Sequence, residues 1–151
     1  DLVEIAKELS EIYPDTCYIV SFGNYAKKDE PVEKPADNIF VYQYADYDTF
    51  LPKVDYIIHH GGTGILYNGI KFNKPSVIIP HDYDQFDYAV RAEIAGIGFP
   101  ASLKSRKSVI DAVGKMLNKK EWKKLEKMSE DFKKYNPSDV LKKEIERLVK
   151  K

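Results

Sequence analysis

A chain of 151 residues, 43% hydrophobic and 32% charged, is sized and balanced for one globular domain with a single core. Lys plus Arg and Asp plus Glu stand at 24 each, which excludes a nucleic-acid binder that works through bulk charge. No apolar stretch nears the ~18 residues that a transmembrane helix needs, and no signal peptide is expected.

Leu2, Ile5, Ala6, Leu9 and Ile12 recur at three- and four-residue spacing, an amphipathic helix that Pro14 ends. Asp1-Leu2-Val3 opens the chain already inside that pattern, which reads as a domain taken from a longer protein. Cys17 to Phe22 reads as a buried strand stopped by Gly23-Asn24. Cys17 is the only cysteine, so it is expected as a small core residue of a reducing compartment, which fits a protein in the cytoplasm or peripheral at a membrane. From Tyr25 to Asp37 the chain turns to Lys, Asp, Glu and Pro, a surface loop without periodicity. Ile39 to Tyr42 is a second strand, and Asp48 to Lys53 a helical turn that Asp48 can cap. Val54 to Ile58 is the third strand, Gly62 to Lys71 a helix, and Ser76 to Ile79 the fourth strand. Asp84 to Ala95 is a helix with Phe86, Ala89, Val90 and Ile94 on its inner face, followed by a short strand at Ile97 to Phe99.

The rest is helical. Ser105 caps a run with Val109, Ile110, Val113 and Leu117 inward, and Trp122, Leu125, Met128 or Ser129, and Phe132 mark another. Asn136-Pro137 supplies an N-cap and a first-turn proline, launching Val140, Leu141, Ile145, Leu148 and Val149. Lys119, Lys120, Lys123 and Lys124 read as the solvated face of a helix, with a patch for a membrane surface or an acidic partner as the alternative. Strands alternating with helices imply an α/β fold, a Rossmann-like parallel sheet covered on both faces, with ligands outside the carboxyl ends of the strands. Tyr44, His60 and Asp84 all follow such ends.

His59-His60-Gly61-Gly62-Thr63-Gly64 stands between a buried strand and a helix. A glycine-rich turn there can aim backbone N–H groups and a helix dipole at an anion, so a phosphate or diphosphate is expected. Asp84-Gln85, after the next strand, offers acceptors and donors suited to a neutral polyol. Together they describe a nucleotide sugar. Three His and one Cys without ligand spacing give no metal site, and no nucleophile–base–orienter set is present.

Tyr44 to Pro100 carries Leu51-Pro52, Val54-Asp55, the glycine turn with His60, Pro75, Pro80, Asp84-Gln85-Phe86-Asp87, Ala89, Arg91 and Gly96-Ile97-Gly98. This block resembles the donor-binding domain of family 1 UDP-glycosyltransferases, with the pattern of the bacterial antibiotic-type and sterol-type members. The resemblance implies the C-terminal half of a GT-B enzyme, spanning residues 1–151 here. It implies a UDP-hexose donor, inverting transfer to a hydroxyl acceptor, and no cofactor. His60 would meet the diphosphate. Gly61, Gly62 and Gly64 would let backbone approach it, with Thr63 standing in for a hydroxyl lost at Ile65. Asn68, where the family carries glutamate, would accept one ribose hydrogen bond and admits a dTDP-sugar. Tyr44 would stack on the base, with backbone groups of Ala45 and Asp46 at the base edge, and Asp84 and Gln85 would read the sugar. His59, on the opposite face of its strand, reads as structural. The family's catalytic base, acceptor domain and first strand have no counterpart in this sequence, so no catalytic residue is assigned. The remaining readings are a separate donor-binding subunit that docks onto a partner chain, and a non-catalytic nucleotide-binding module or epimerase.

Overall fold

The computed structural model describes residues 2–149 and consists of two three-stranded sheets with seven α-helices. Helix α1 (Leu2–Ile12) and strand β1 (Tyr18–Ser21) precede a hairpin of β2 (Glu33–Ala36) and β3 (Ile39–Tyr42). β1 and β3 run parallel with β3 in the centre, and β2 pairs antiparallel on its far side. After α2 (Tyr47–Phe50) come β4 (Ile57–His59), α3 (Thr63–Lys71), β5 (Ser76–Ile78), α4 (Gln85–Ala95) and β6 (Gly98–Pro100). β4, β5 and β6 form an all-parallel sheet in that order. Helices α5 (Arg106–Asn118), α6 (Lys123–Lys134) and α7 (Pro137–Val149) complete the chain.

The larger core fits the expected α/β packing. β5 is central, and Ser76, Val77 and Ile78 are all buried, as a strand covered on both faces must be. Ile5 and Leu9 of α1, Ile70, Ala89, Ala92, Val109, Val113, Met116 and Leu125 join it in one cluster. The smaller sheet departs from the expectation of helices on both faces. Ile39, Val41 and Val20 point to Ala6 of α1. Alternation sends Ile19 outward at 38% exposure, and Cys17, one residue before β1, is exposed rather than a core residue. Its expected place as a small core residue is thereby corrected.

Four other expectations change. The segment read as loop from Tyr25 to Asp37 contains a 3-10 turn and the edge strand β2, whose Pro35 is tolerated because edge positions need not donate. α2 is capped by Asp46, which accepts from the Thr49 amide at 2.9 Å and hydroxyl at 2.7 Å, while Asp48 instead pairs with Lys71 of α3 at 2.6 Å. α4 buries its small residues Ala89 and Ala92, and leaves Phe86, Val90 and Ile94 exposed. Small side chains let this helix lie close on β6, and Gly96 in the left-handed region (φ 74°) turns the chain straight into that strand. The four lysines do not share a helix face. Lys119 and Lys120 lie between α5 and α6, and the Lys119 Nζ donates to Gly96 O at 3.0 Å beneath Trp122.

Ser105 caps α5 through the Ser108 amide, and Asn136 Oδ1 accepts from Ser138 N at 3.1 Å at the start of α7, both as read from sequence. α7 nevertheless buries none of its apolar residues. Among the described residues no helix is long and apolar enough to cross a membrane. Asp1, read as part of the opening pattern, lies outside the described residues.

Candidate functional site

β4 delivers His59 and His60 to a sharp turn that becomes α3. Gly61 is buried in the left-handed region at φ +92°, where any other residue is strained. A Cβ on Gly61 would sit 2.9 Å from Ile78 Cγ2 and 3.3 Å from Gln85 O, so the turn rests directly on β5 and on the start of α4. A Cβ on Gly62 would overlap the Nε2 of His60. The exposed His60 ring therefore folds over Gly62, and it would have to swing aside for any Cβ there. Gly62 is the N-cap of α3, so Thr63 and the exposed Gly64 open the first turn, where backbone N–H groups lack intrahelical partners. This is geometry suited to an anion.

His59 differs from its neighbour. Its ring is 8% exposed, and its Nδ1 accepts from the Gly61 amide at 3.0 Å. Burial, with a smaller contribution from His60, pulls its pKa down from 6.5 to about 4, so the imidazole is neutral near pH 7. Its Nε2 is buried and has no partner among the described residues.

Ile65, where a hydroxyl was expected, is buried with Leu51 and Ile57 beneath the turn and serves packing. Asn68 is half-buried, and its Nδ2 donates to Gly64 O at 2.8 Å, leaving the side-chain carbonyl as the acceptor it can offer.

The loop from His81 to Asp84 lies against this turn through Gln85. Gln85 Oε1 accepts from His81 N at 2.9 Å and Asp82 N at 3.2 Å, so its amide oxygen is committed to the loop. Sequence reasoning gave that oxygen to a ligand, and the NH2 end is what remains for one. Asp84 sits at the N-cap position of α4 without a side-chain cap bond, and its exposed carboxylate stays open to solvent. We expect Gln85→Ala to lower stability by ~0.5–1.5 kcal/mol, since two exposed loop amides lose a protein acceptor, and Asp84→Ala to change it by less than ~0.5 kcal/mol. Urea denaturation of the two variants checks this, and equal losses would contradict it.

Tyr44 belongs to the carboxyl edge of the other sheet, after β3. Its ring is half-buried and meets Tyr25 edge-on at 5.0 Å, an aromatic partner that no periodicity in the sequence flagged. Ala45 is half-buried beside it, and the Asp46 carboxylate is spent on capping α2. Asp48–Lys71 and the Leu51–Ile57–Ile65 cluster anchor this segment to α3 and β4. Two surface depressions, both lined by Phe99, Asp111 and Lys115, contain no residue of the glycine turn or the Asp84 loop. Among the described residues no group of three or more His, Cys, Asp and Glu is placed to hold a metal ion.

Residues 8–147 match a family model described as erythromycin biosynthesis protein CIII-like, C-terminal domain. UDP-glucosyltransferase A1 of Starmerella bombicola is 30% identical over 143 residues, covering 90% of this chain and 30% of its own length. Sterol 3-beta-glucosyltransferase of Saccharomyces cerevisiae (strain YJM789) is 34% identical over 91 residues, covering 60% of this chain and 8% of its own length. Among solved structures, the glycotransferase of kitacinnamycin superposes with a TM-score of 0.81 at 21% identity, over 96% of this chain and 38% of that one. Spinosyn rhamnosyltransferase SpnG complexed with thymidine diphosphate gives 0.69 at 20% identity, over 85% and 35%. These structural likenesses establish the fold, which is that of the C-terminal part of GT-B glycosyltransferases. The chain spans 8% and 30% of the two curated relatives.

Proposed function

The chain belongs to the erythromycin biosynthesis protein CIII-like C-terminal domain family, and from that premise we propose that it binds the nucleotide-sugar donor of a glycosyltransferase. The observation that carries the reading is the contact of Gly61 with Gln85, which sets the anion-suited turn beside the loop bearing the open Asp84 carboxylate. In this reading His60 and the amides from Gly62 to Gly64 hold the diphosphate, and Thr63 adds its hydroxyl. Asn68 accepts from the ribose, and Tyr44 and Ala45 face the base. Asp84 and the NH2 end of Gln85 read the sugar.

A UDP-hexose is the proposed donor, supported by the names of the curated relatives, a sterol 3-beta-glucosyltransferase and a UDP-glucosyltransferase. A dTDP-sugar is the second choice, supported by the thymidine diphosphate complex of SpnG and by Asn68 in place of a longer carboxylate. Transfer to a hydroxyl acceptor with inversion would draw its base from a second domain or a partner chain. The apolar residues left open on α7 (Leu141 at 62%, Leu148 at 66%) and on α4 fit burial against further protein of that kind. No cofactor, metal or nucleic acid has a part in this reading, and a cytoplasmic setting suits a nucleotide-sugar substrate.

His60→Ala is expected to weaken UDP binding by ~1.5–3 kcal/mol, the worth of one hydrogen bond to a charged group. Calorimetry on the folded variant is the test, with dTDP and GDP titrated alongside. Unchanged UDP affinity would remove His60 from the site.

A further inference from the structure

We propose that His59 is the positioning residue of the glycine turn: its Nδ1 is a fixed acceptor that turns the Gly61 amide inward and so decides which amides of the turn face an anion. The inference rests on the diphosphate reading for its ligand.

The Gly61 amide donates to Nδ1 at 3.0 Å inside the protein, with Gly61 held at φ +92°. With Nδ1 accepting, the ring proton must sit on Nε2. That atom is buried and finds no partner among the described residues, on a side chain only 8% exposed. An orphaned buried donor is unfavourable. A leucine at the end of β4 would fill similar space without that penalty, but it could not accept from Gly61. The function of the imidazole at this position therefore lies in Nδ1.

The consequence runs along the turn. With the Gly61 amide committed inward, the chain enters Gly62 in an extended conformation, φ −61° and ψ 148°, and α3 starts at Thr63. The amides of Thr63, Gly64 and Ile65 then open the helix without intrahelical acceptors, and the His60 ring closes over Gly62. Without the Nδ1 acceptor, the Gly61 amide would be left buried and unpaired, and the peptide would gain by rotating. Such a rotation would misdirect the amides that follow and move Gly62 from beneath His60.

The test compares His59→Asn with His59→Leu. An asparagine carbonyl accepts from an amide two residues on, the same relation that His59 has to Gly61, whereas leucine retains only bulk. Two quantities are read for each chain: the UDP dissociation constant by calorimetry, and hydrogen-exchange protection of the Gly61 amide by NMR. His59→Leu should bind UDP at least tenfold more weakly and lose Gly61 protection. His59→Asn should stay within about threefold of the parent and keep that protection. If leucine leaves both quantities unchanged, or asparagine loses as much as leucine, the proposal is overturned. Should His59→Leu not fold, His59→Asn alone decides, because a tenfold loss there contradicts the proposal and retention supports it. If the parent does not bind UDP, the diphosphate reading fails. The exchange comparison still separates a positioning His59 (protection lost with leucine, kept with asparagine) from an idle one (protection unchanged).

Discussion

Lowering the pH from 7 to 4 should cost the folded chain about 3 kcal/mol through His59 alone. The folded pKa is about 4 against 6.5 for a solvated imidazole, and burial is the main cause. Because the folded value is depressed, the unfolded chain takes up the proton first as the pH falls. Stability is fully present above the unfolded value of 6.5, declines between 6.5 and about 4, and changes no further through this group below that. The carboxylates titrate over part of the same range, so the measurement is a difference. Urea unfolding at pH 7, 5.5 and 4 is compared for the parent and His59→Asn, with the parent losing more over the interval. Parallel curves would mean that the His59 ring is hydrated enough in solution to titrate normally.

The second large effect lies two residues on. Gly61→Ala should destabilise the protein by ~2–4 kcal/mol, combining a left-handed backbone at a non-glycine residue with overpacking. The added methyl would lie 2.9 Å from Ile78 Cγ2 and 3.3 Å from the carbonyl oxygen of Gln85. Ile78 is fully buried and Gln85 begins a helix, so neither neighbour can easily yield. Gly64→Ala is the control. A Cβ there meets nothing within 4 Å, and in a helix alanine is favoured over glycine by ~1 kcal/mol. Opposite signs are expected in thermal and urea denaturation, and similar losses would place Gly61 in a looser turn than the structure gives it.

Features carried by local chemistry were readable in the sequence. Ser105 and Asn136-Pro137 announce their helices because an N-cap and a first-turn proline act within four residues. The glycine turn was readable for the same reason, since a strand, a histidine pair and three glycines leave few other conformations. Features decided by distant neighbours were not. Strand β2 is polar and contains Pro35, and it exists because a two-residue turn at Asp37-Asn38 folds it onto β3. Asn38 Nδ2 secures that turn by donating to Thr16 O at 3.0 Å, a partner 22 residues away. The inner face of α4 was misread because large apolar residues dominate a periodicity argument, while close approach to β6 favours alanines. In the site itself, the residue types and their order were legible. The internal bonds were not: nothing in the spacing tells that Gln85 spends its oxygen on His81 and Asp82, or that Tyr25 stands against Tyr44.

Helix α1 has a bearing on how the molecule comes apart. Its Ile5 and Leu9 belong to the larger core and its Ala6 to the smaller one, while Glu8 reaches Arg106 of α5 at 3.1 Å. Eleven residues thus serve as a hinge pin between two sheets that share no ladder among the described residues. All-or-none unfolding of the chain depends on that pin holding. If α1 frays, the sheet bearing Tyr44 loses the cover over Val20, Ile39 and Val41, and only the Asp48–Lys71 pair and the Leu51–Ile57–Ile65 cluster still tie the Tyr44 segment to the glycine turn.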